Sequence, residues 1–264
     1  MNIIKEIKEE NPFFEMGSSG IIGTRDYQQD LGYYYMGSDC AFSAICDGMG
    51  GMEGGEQASK AAVDQLVQDF RNERGITNVP EFLVKEVGRM NQVVAGLKNH
   101  AGGPLKCGTT LVAAYCQGNQ MYWVSVGDSK IYLIHNNSIQ PVNREHNYRL
   151  TLKLNLENGL INRDTYDRES MSRQAEALVS YIGMGQLAMV DVSQAPVRLQ
   201  EGDVVMLCSD GISKSLSDSQ ILAMVRDNDI DMDIAADRMT SMAMRYGVRG
   251  QDNTTVILMK YLGR

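Results

Sequence analysis

Three short segments of the chain place an aspartate at the boundary of an apolar, strand-like run. Asp47 follows residues 41–46, Asp210 follows residues 204–208, and Asp252 comes just before residues 254–259. In an antiparallel sheet the end of one strand lies beside the start of its neighbour, so these three carboxylates can gather at one edge of a sheet. Carboxylates held that close repel one another unless cations lie between them, and hard divalent ions such as Mg²⁺ or Mn²⁺ prefer all-oxygen ligands. The pattern therefore predicts a metal centre.

Glycine and arginine residues near these aspartates add two further chemical possibilities. Three glycines follow the first aspartate at positions 48, 50 and 51, where they permit positive φ angles and close approach of the backbone to a ligand. The backbone carbonyl of Gly48 is therefore a candidate metal ligand. Arg25 carries a planar guanidinium that suits a tetrahedral phosphate. Each signal is weak alone, because glycine-rich turns and solvated arginines are common.

Composition limits the class of protein. The chain has 264 residues, 43% of them hydrophobic, and no proline- or serine-rich linker, so we expect one domain spanning 1–264. A net charge of −8 argues against nucleic acid or an anionic membrane as the main partner. Residues 1–10 lack the apolar core of a signal peptide, and no apolar stretch reaches the roughly 18 residues that cross a bilayer. Together with an odd number of cysteines and no Cys-x-x-Cys pair, this predicts a cytoplasmic protein with reduced thiols.

Hydrophobic periodicity predicts a mixed order of strands and helices. Strands are expected over 31–35, 40–46, 109–116, 120–126, 130–134, 139–142, 203–208 and from Thr254 onwards, and helices over 56–71, after Pro80, over 218–226 and over 233–246. A polar, weakly periodic segment with some helical character, 143–185, interrupts this order. Strands in two blocks, with helices between and after them, favour an α+β sandwich of two antiparallel sheets covered by helices.

Seven motifs, in this order along the chain, resemble the metal-dependent protein phosphatase 2C family. They are Arg25 with Gln29-Asp30, Asp47-Gly48-Met49-Gly50-Gly51, Gly54-Gly55 with Glu56, Cys107-Gly108-Thr109-Thr110, Gly127-Asp128-Ser129-Lys130, Ser209-Asp210-Gly211 and Asp252-Asn253-Thr254. Any one of them is a weak signal, whereas all seven in the family's order are specific. The resemblance runs from about residue 17 to 260 and implies a four-layer α-β-β-α sandwich, in which 143–185 is a flap beside the active site.

The resemblance also implies metal ligands. Asp47 would bridge two Mg²⁺ or Mn²⁺ ions, the carbonyl of Gly48 would bind one of them, and the other would be bound by Asp210 and Asp252. Asp128, together with Asp210, would help to form a third metal site, as in bacterial-type members of the family.

Asp30 and Arg25 would complete the catalytic machinery in this resemblance. Asp30 would hold a metal-bound water, and Arg25 would bind the substrate phosphate. The implied reaction is hydrolysis of phosphoserine and phosphothreonine in proteins by a hydroxide that bridges the two ions, without a covalent phosphoenzyme. Met49 stands where many eukaryotic members have histidine, and a thioether cannot donate a proton, so this position indicates the bacterial subgroup. The implied partners are phosphoproteins and a cognate serine/threonine kinase.

Two other functions stay open at this point. A catalytically silent phosphatase-like module would bind phosphoproteins or a regulator without turnover, although such a module is expected to lose metal carboxylates. A phosphatase-fold enzyme for a small phosphorylated metabolite would prefer that metabolite to any phosphopeptide. The flap has two interpretations as well, because its arginines either dock phosphopeptides or balance neighbouring acidic residues on a solvated loop. These arginines are Arg144, Arg149, Arg163, Arg168 and Arg173.

Overall fold

Two β-sheets stack face to face, and helices cover the outer face of each. The computed structural model describes residues 2–51, 54–73, 75–226, 230–247 and 250–263. The first sheet contains β1 (Ile3–Ile7), β3 (Asp30–Met36), β4 (Cys40–Met49), β5 (Gly108–Thr109), β6 (Leu111–Gln117), β7 (Gln120–Val126), β10 (Asp191–Val192) and β11 (Val197–Arg198). The second contains β2 (Phe14–Ile21), β8 (Lys130–His135), β9 (Ser138–Pro141), β12 (Val204–Cys208) and β13 (Thr254–Tyr261).

The strand order of both sheets is largely antiparallel. The first sheet has the order β1-β3-β4-β6-β7-β10, with β5 beside β4 and β11 beside β7, and the second has the order β2-β13-β12-β8-β9. Strand β1 lies parallel to β3. The other described pairs, such as β3 with β4 and β12 with β13, are antiparallel. The predicted antiparallel architecture is therefore confirmed, with one exception at an edge of the first sheet.

Helices form the two outer layers and the flap. Within the described residues they are α1 (Gly54–Asn72), α2 (Val79–Ala95), α3 (Tyr148–Glu157), α4 (Arg163–Ser170), α5 (Asp210–Ser213), α6 (Asp218–Val225) and α7 (Met232–Tyr246), with a 3₁₀ turn at Arg173–Glu176. Helices α1 and α2 pack on the first sheet, and α5, α6 and α7 pack on the second. No helix in the ranges that the structure describes combines the length and apolar character needed to cross a bilayer.

The core has three apolar layers, because each sheet is buried on both faces. Successive side chains of a strand point to opposite faces. On β3, Tyr33 packs in the layer beneath α1 and α2, whereas Tyr34 packs between the two sheets. On β4, Ala44 likewise packs in the layer beneath the helices, and Ile45 packs between the two sheets. Burial on both faces explains why these strands are continuous apolar runs, and the four-layer sandwich is confirmed.

Most predicted elements are confirmed, and the differences have local causes. Strand β7 has the predicted bounds, and α1 and α7 each begin one or two residues earlier than expected. The predicted strand 109–116 is interrupted at Thr110, which separates β5 from β6. The sequence does not predict β1 and β2. Strand β1 lies at an edge of the first sheet and has one buried residue, so its apolar pattern is weak. The predicted glycine-rich turn after Asp47 includes residues 52 and 53, which lie outside the described residues.

The flap is a helical segment with a closed base. Asn147 caps α3 by accepting a hydrogen bond from the N–H of Leu150, and Asn162 caps α4 in the same way. Backbone bridges join Asn147 to Leu178 and Thr109 to Ile182. The helical character predicted for 143–185 is therefore confirmed, and its base is tied to the strands next to the predicted site.

Candidate metal centre

The predicted carboxylates lie at the same end of the two stacked sheets. Asp30 begins β3 opposite Asp47 on β4, Asp128 precedes β8, Asp210 follows β12 as the first residue of α5, and Asp252 precedes β13. The expectation that they gather at the edge of one sheet is wrong, because Asp47 belongs to the first sheet whereas Asp210 and Asp252 flank strands of the second. Face-to-face stacking brings strand ends together across the sandwich as well as along one edge.

Asp30 is held by hydroxyl groups from the opposite sheet. Its Oδ2 accepts hydrogen bonds of 2.8 Å from Ser209 Oγ and from Thr255 Oγ1. Its Oδ1 is buried and receives no hydrogen bond from an N–H or hydroxyl group of the described residues. Burial raises the pKa of Asp30 to about 7, although the two hydroxyl hydrogen bonds act in the opposite direction. Asp30 therefore has one fixed oxygen and a second oxygen available to a further donor or cation.

Asp47 lies at the electrostatic centre of the cluster. Its backbone N–H donates to Thr110 Oγ1 at 3.0 Å, and its carbonyl accepts from the Thr110 N–H at 2.9 Å. Ser129 Oγ contacts the same Thr110 hydroxyl at 2.7 Å, so the position of Asp47 is fixed from the neighbouring strand. Burial, followed by the charges of the four other carboxylates, raises the pKa of Asp47 well above its usual value.

Gly48 lies within β4, where close packing requires a residue without a side chain. A Cβ atom at this position would lie 2.1 Å from the carbonyl oxygen of Gly55 and 2.7 Å from that of Gln29. The Gly48 N–H donates to the same Gln29 oxygen at 3.0 Å. Of the three glycines for which the sequence permits positive φ, Gly50 adopts it, with a φ of +124°, and the other two do not.

Two cationic side chains lie at the rim of the cluster. Arg25 Nη2 contacts Asp252 Oδ2 at 2.7 Å, and Lys214 Nζ forms an ion pair with Asp210 Oδ2. Burial and then the charge of Asp210 raise the pKa of Asp128 to about 6, whereas the charge of Lys214 lowers it. With these two ion pairs in place, no three His, Cys, Asp or Glu side chains in the described part of the chain converge closely enough to form a ready-made metal site.

The donor set nonetheless fits a hard divalent cation. All five side chains offer carboxylate oxygens, and Asp30 Oδ1 is a buried oxygen that has no N–H or hydroxyl donor within the described part of the chain. Burial first, and then repulsion between the carboxylates, raises the pKa of Asp47 and of Asp30, and bound cations would offset both effects. The side chain of Arg25 is 61% exposed and that of its partner Asp252 is 42% exposed, so this ion pair opens at small cost in free energy.

Two residues that support the cluster give no signal in the sequence. His146 is buried, accepts a hydrogen bond from the Gly127 N–H at its Nδ1 (3.2 Å), and donates its own backbone N–H to the Gly127 carbonyl (2.8 Å). It thereby fixes the turn that carries Asp128. Asn2 donates to Thr255 Oγ1 at 2.7 Å, so the N-terminal segment reaches within two hydrogen bonds of the cluster. The spacing of the histidines fits no ligand pattern, and Asn2 lies in a charged segment.

The arginines of the flap are mostly paired with acidic side chains of the flap or of the adjacent strand β10. Four of its five arginines form ion pairs, namely Arg144 with Asp191, Arg149 with Glu176, Arg163 with Asp167 and Arg168 with Glu169. This pairing favours balanced charge over an open basic surface for phosphopeptides. Lys130, at the start of β8, contacts Glu145 at 2.6 Å and so joins the second sheet to the root of the flap.

Comparison with known proteins agrees with this architecture. The serine/threonine phosphatase Stp of Listeria welshimeri serovar 6b is 26% identical to the chain over 219 residues, which is 82% of each protein. The solved serine/threonine phosphatase of S. agalactiae superposes with a TM-score of 0.79 at 21% identity, covering 94% of this chain and 99% of that one. The catalytic domain of the serine/threonine phosphatase PstP, in complex with two manganese ions, has a TM-score of 0.73 at 24% identity, covering 95% and 99%. These two structures share the fold.

The strongest of these findings is a family match. The family model of protein phosphatase 2C matches residues 22–243, which is most of the chain and includes four of the five clustered carboxylates. The chain therefore belongs to the protein phosphatase 2C family.

Proposed function

We propose that the chain is a serine/threonine phosphatase that removes phosphate from phosphoserine and phosphothreonine in proteins and requires Mg²⁺ or Mn²⁺. The observation that supports this most directly is the gathering of five carboxylates at one end of the sandwich, in a member of this family. The relative Stp is named a serine/threonine phosphatase, and the PstP catalytic domain was solved with two manganese ions. A silent module is expected to have lost metal carboxylates, and this chain retains them.

Asp47, the Gly48 carbonyl, Asp210 and Asp252 would hold two divalent ions in this proposal. When bound there, the ions would make hydroxide available near neutral pH and offset charge on the phosphate oxygens. Asp252 would exchange its contact with Arg25 for a cation. The guanidinium would then be available to the substrate phosphate, which matches its planar fork of donors.

The chain's own residues would bind and orient the reactants. Arg25 would hold two phosphate oxygens through parallel hydrogen bonds, and Asp30 would orient the attacking water through Oδ1 while its Oδ2 stays bound to the two hydroxyls. The water oxygen would lose a proton to solvent and form a bond to phosphorus as the bond from phosphorus to the serine or threonine oxygen breaks. That leaving oxygen needs a proton, which Met49 cannot supply, so a water in the site would donate it.

The proposed catalytic unit spans residues 1–264. The N-terminal strands belong to it because Ile3 and Phe14 lie in the layer between the sheets, and Asn2 contacts Thr255. We also propose that the flap contributes to the choice of phosphoprotein and that a serine/threonine kinase produces its substrates. A cytoplasmic location stays a prediction from composition.

Hydrolysis of p-nitrophenyl phosphate with Mn²⁺, with Mg²⁺ and with EDTA tests the chemistry. We expect turnover that requires the metal and is lost in Asp47→Ala, but retained in Asp39→Ala, which removes an exposed carboxylate from the turn between β3 and β4. Folded protein that shows no turnover with either metal would contradict the proposal and favour a silent binding module.

The choice between protein and metabolite substrates needs a second comparison. Phosphoserine and phosphothreonine peptides are compared with small phosphorylated metabolites at equal concentration, with kcat/KM as the measure. We expect the peptides to have the higher kcat/KM. A metabolite that exceeds every peptide would replace the protein substrate in the proposal while leaving the metal chemistry intact.

A further inference from the structure

Lys214 is a cation that the short helix α5 places at the rim of the carboxylate cluster. It follows the helix directly, and its backbone N–H donates to the Asp210 carbonyl at 2.9 Å. Its side chain turns back by one helical turn, so that Nζ forms an ion pair with Asp210 Oδ2. The Asp210 side chain is 16% exposed. The ammonium group therefore reaches from the surface to an aspartate that the family resemblance assigns to the metal centre.

A second carboxylate, Asp128, lies at the same end of the sandwich as Asp210. Strands β12 and β8 are neighbours, and Cys208 lies opposite Lys130. Asp210 follows that pair by two residues and Asp128 precedes it by two, so both lie at the same end of these strands. The charge of Lys214 lowers the pKa of Asp128, and the charges of Asp210 and Asp128 raise the pKa of Lys214 against the effect of burial.

We propose that Lys214 is a built-in cation of the metal centre: its ammonium group holds Asp128 and Asp210 together, so that the chain binds two divalent ions and not three. The inference rests on the proposed function, in which Asp47, Asp210 and Asp252 hold two ions. It adds that the charge of the neighbouring carboxylates Asp128 and Asp210 is already neutralised in part by Lys214 of the same chain.

The physical argument is one of competition for the same oxygens. Asp128 and Asp210 repel each other, and the repulsion is offset by any cation that lies near both. An exposed lysine paired with one aspartate four residues away contributes little by itself. Near two carboxylates, the ammonium group supplies three N–H donors and a positive charge where a third divalent ion would otherwise bind. A third ion would have to displace Lys214 as well as lose its own water.

The test is the number of Mn²⁺ ions bound at saturation, measured by isothermal titration calorimetry and confirmed by metal analysis after equilibrium dialysis. Wild-type protein should bind two ions per chain, and Lys214→Met should bind a third. Lys214→Gln, which keeps the length and polarity but not the charge, should behave like Lys214→Met. Lys5→Met is the control, because Lys5 forms an ion pair with Asp233 away from the cluster, and it should bind two ions.

The double variant Lys214→Met/Asp128→Asn locates the additional ion. It should return to two ions, because the third site would have lost one of its two carboxylates. A wild type that binds three ions would overturn the inference, as would Lys214→Met and Lys214→Gln proteins that are folded by circular dichroism and still bind two. Wild-type protein that binds no Mn²⁺ would instead overturn the proposed function, and the inference with it.

Discussion

Two regions of the molecule bury one carboxyl group against another, namely the candidate metal centre and the interface between α1 and α2. In the centre Asp30 lies opposite Asp47, and in the helix interface Glu86 interacts with Asp69. Each pair leaves one buried oxygen without an N–H or hydroxyl donor among the described residues, Asp30 Oδ1 and Glu86 Oε2. Burial raises the pKa of Asp30 to about 7, and burial together with the hydrogen bond and charge of Asp69 raises that of Glu86 to about 8.

The two regions differ in what offsets the repulsion. In the helix interface Arg89 contacts Asp69 at 3.0 Å and Glu86 at 3.1 Å, and Gln65 donates to Asp69 at 2.6 Å. One arginine and one proton on Glu86 therefore satisfy both carboxyl groups. The metal centre adds three further carboxylates, and its cations lie only at the exposed rim among the described residues. The pair of Glu86 and Asp69 is closed, because its partners lie within the protein, and it stabilises the fold. The cluster of five aspartates is open, because its repulsion is offset only in part within the described part of the protein, and it is suited to bind cations from solution.

Replacement of Asp47 is expected to have the largest effect, because it removes the centre of the open cluster. In Asp47→Asn, hydrolysis of p-nitrophenyl phosphate with Mn²⁺ should fall by roughly 10³-fold or more, since the ions stabilise the transition state by several kcal/mol. The same variant in EDTA should have a higher Tm than wild type, because a buried charge is removed. Scanning fluorimetry with and without Mn²⁺ checks the second point, with Asp39→Asn as control. Retained turnover in Asp47→Asn, or a Tm below that of wild type in EDTA, would contradict the role of Asp47 as the centre of a cation-binding cluster.

Replacement of Arg25 separates phosphate binding from metal binding. In Arg25→Ala, kcat/KM should fall by about 10- to 100-fold, because the bidentate phosphate contact is lost. Mn²⁺ affinity should be unchanged or higher, because Asp252 no longer has an ion-pair partner to leave. Arg71→Ala removes the exposed Arg71–Glu6 ion pair and serves as control. Weaker Mn²⁺ binding with unchanged kcat/KM would contradict the role proposed for Arg25.

The helix interface should respond to pH and not to metal. The pKa of Glu86 in the folded protein, about 8, is above its ordinary value of 4.5. Between these values the folded state keeps a proton that the unfolded state has lost, so the free energy of unfolding falls as the pH rises from about 4.5 to 8. Glu86→Gln keeps a hydrogen-bond donor without titrating. At pH 8 its Tm should exceed that of wild type, by about 2–4 °C for each kcal/mol of difference in the free energy of unfolding. This difference in Tm should vanish near pH 4.5.

The control for this experiment is Glu73→Gln, an exposed carboxylate just after α1. Its Tm should follow that of wild type at both pH values. Addition of Mn²⁺ should shift the Tm of wild type and of Glu86→Gln equally, because the helix interface lies outside the metal centre. A Tm difference that is independent of pH would show that Glu86 acts by packing and not by its proton.

The features that the sequence predicts are those encoded in short, contiguous segments. The motif around Asp47 and the strand β7 could be identified because their residues are neighbours in the chain. The residues that they contact in the folded structure could not be identified in this way. Glu86 and Asp69 are separated by the turn between two helices, and only the packing of α1 on α2 makes them a pair.

The same limit explains what was missed at the metal centre. The predicted aspartates are all present there, but the stacking of two sheets, which brings Asp30 to Ser209 and Thr255, has no signature in a single strand. Lys214 is four residues from Asp210, yet a lysine at that spacing is an ordinary surface ion pair until the position of Asp128 is known.

The smallest expected effect concerns two N-terminal asparagines. One of them contacts the carboxylate cluster through Thr255, and the other makes contacts that serve only the fold. Asn2 and Asn11 are both buried, but Asn2 donates to Thr255, whose hydroxyl donates to Asp30, whereas Asn11 donates to the carbonyls of Gly37 and Cys40 at the opposite end of β3. Each alanine variant should lose about 1 kcal/mol of unfolding free energy. Only Asn2→Ala should also lower kcat, by a fewfold, because Asp30 is then less firmly oriented. Urea denaturation checks that the two variants have lost the same unfolding free energy. Their kcat values at saturating Mn²⁺ are then compared. Equal kcat values would mean that the hydroxyls alone hold Asp30 and that the N-terminal strand serves only the fold.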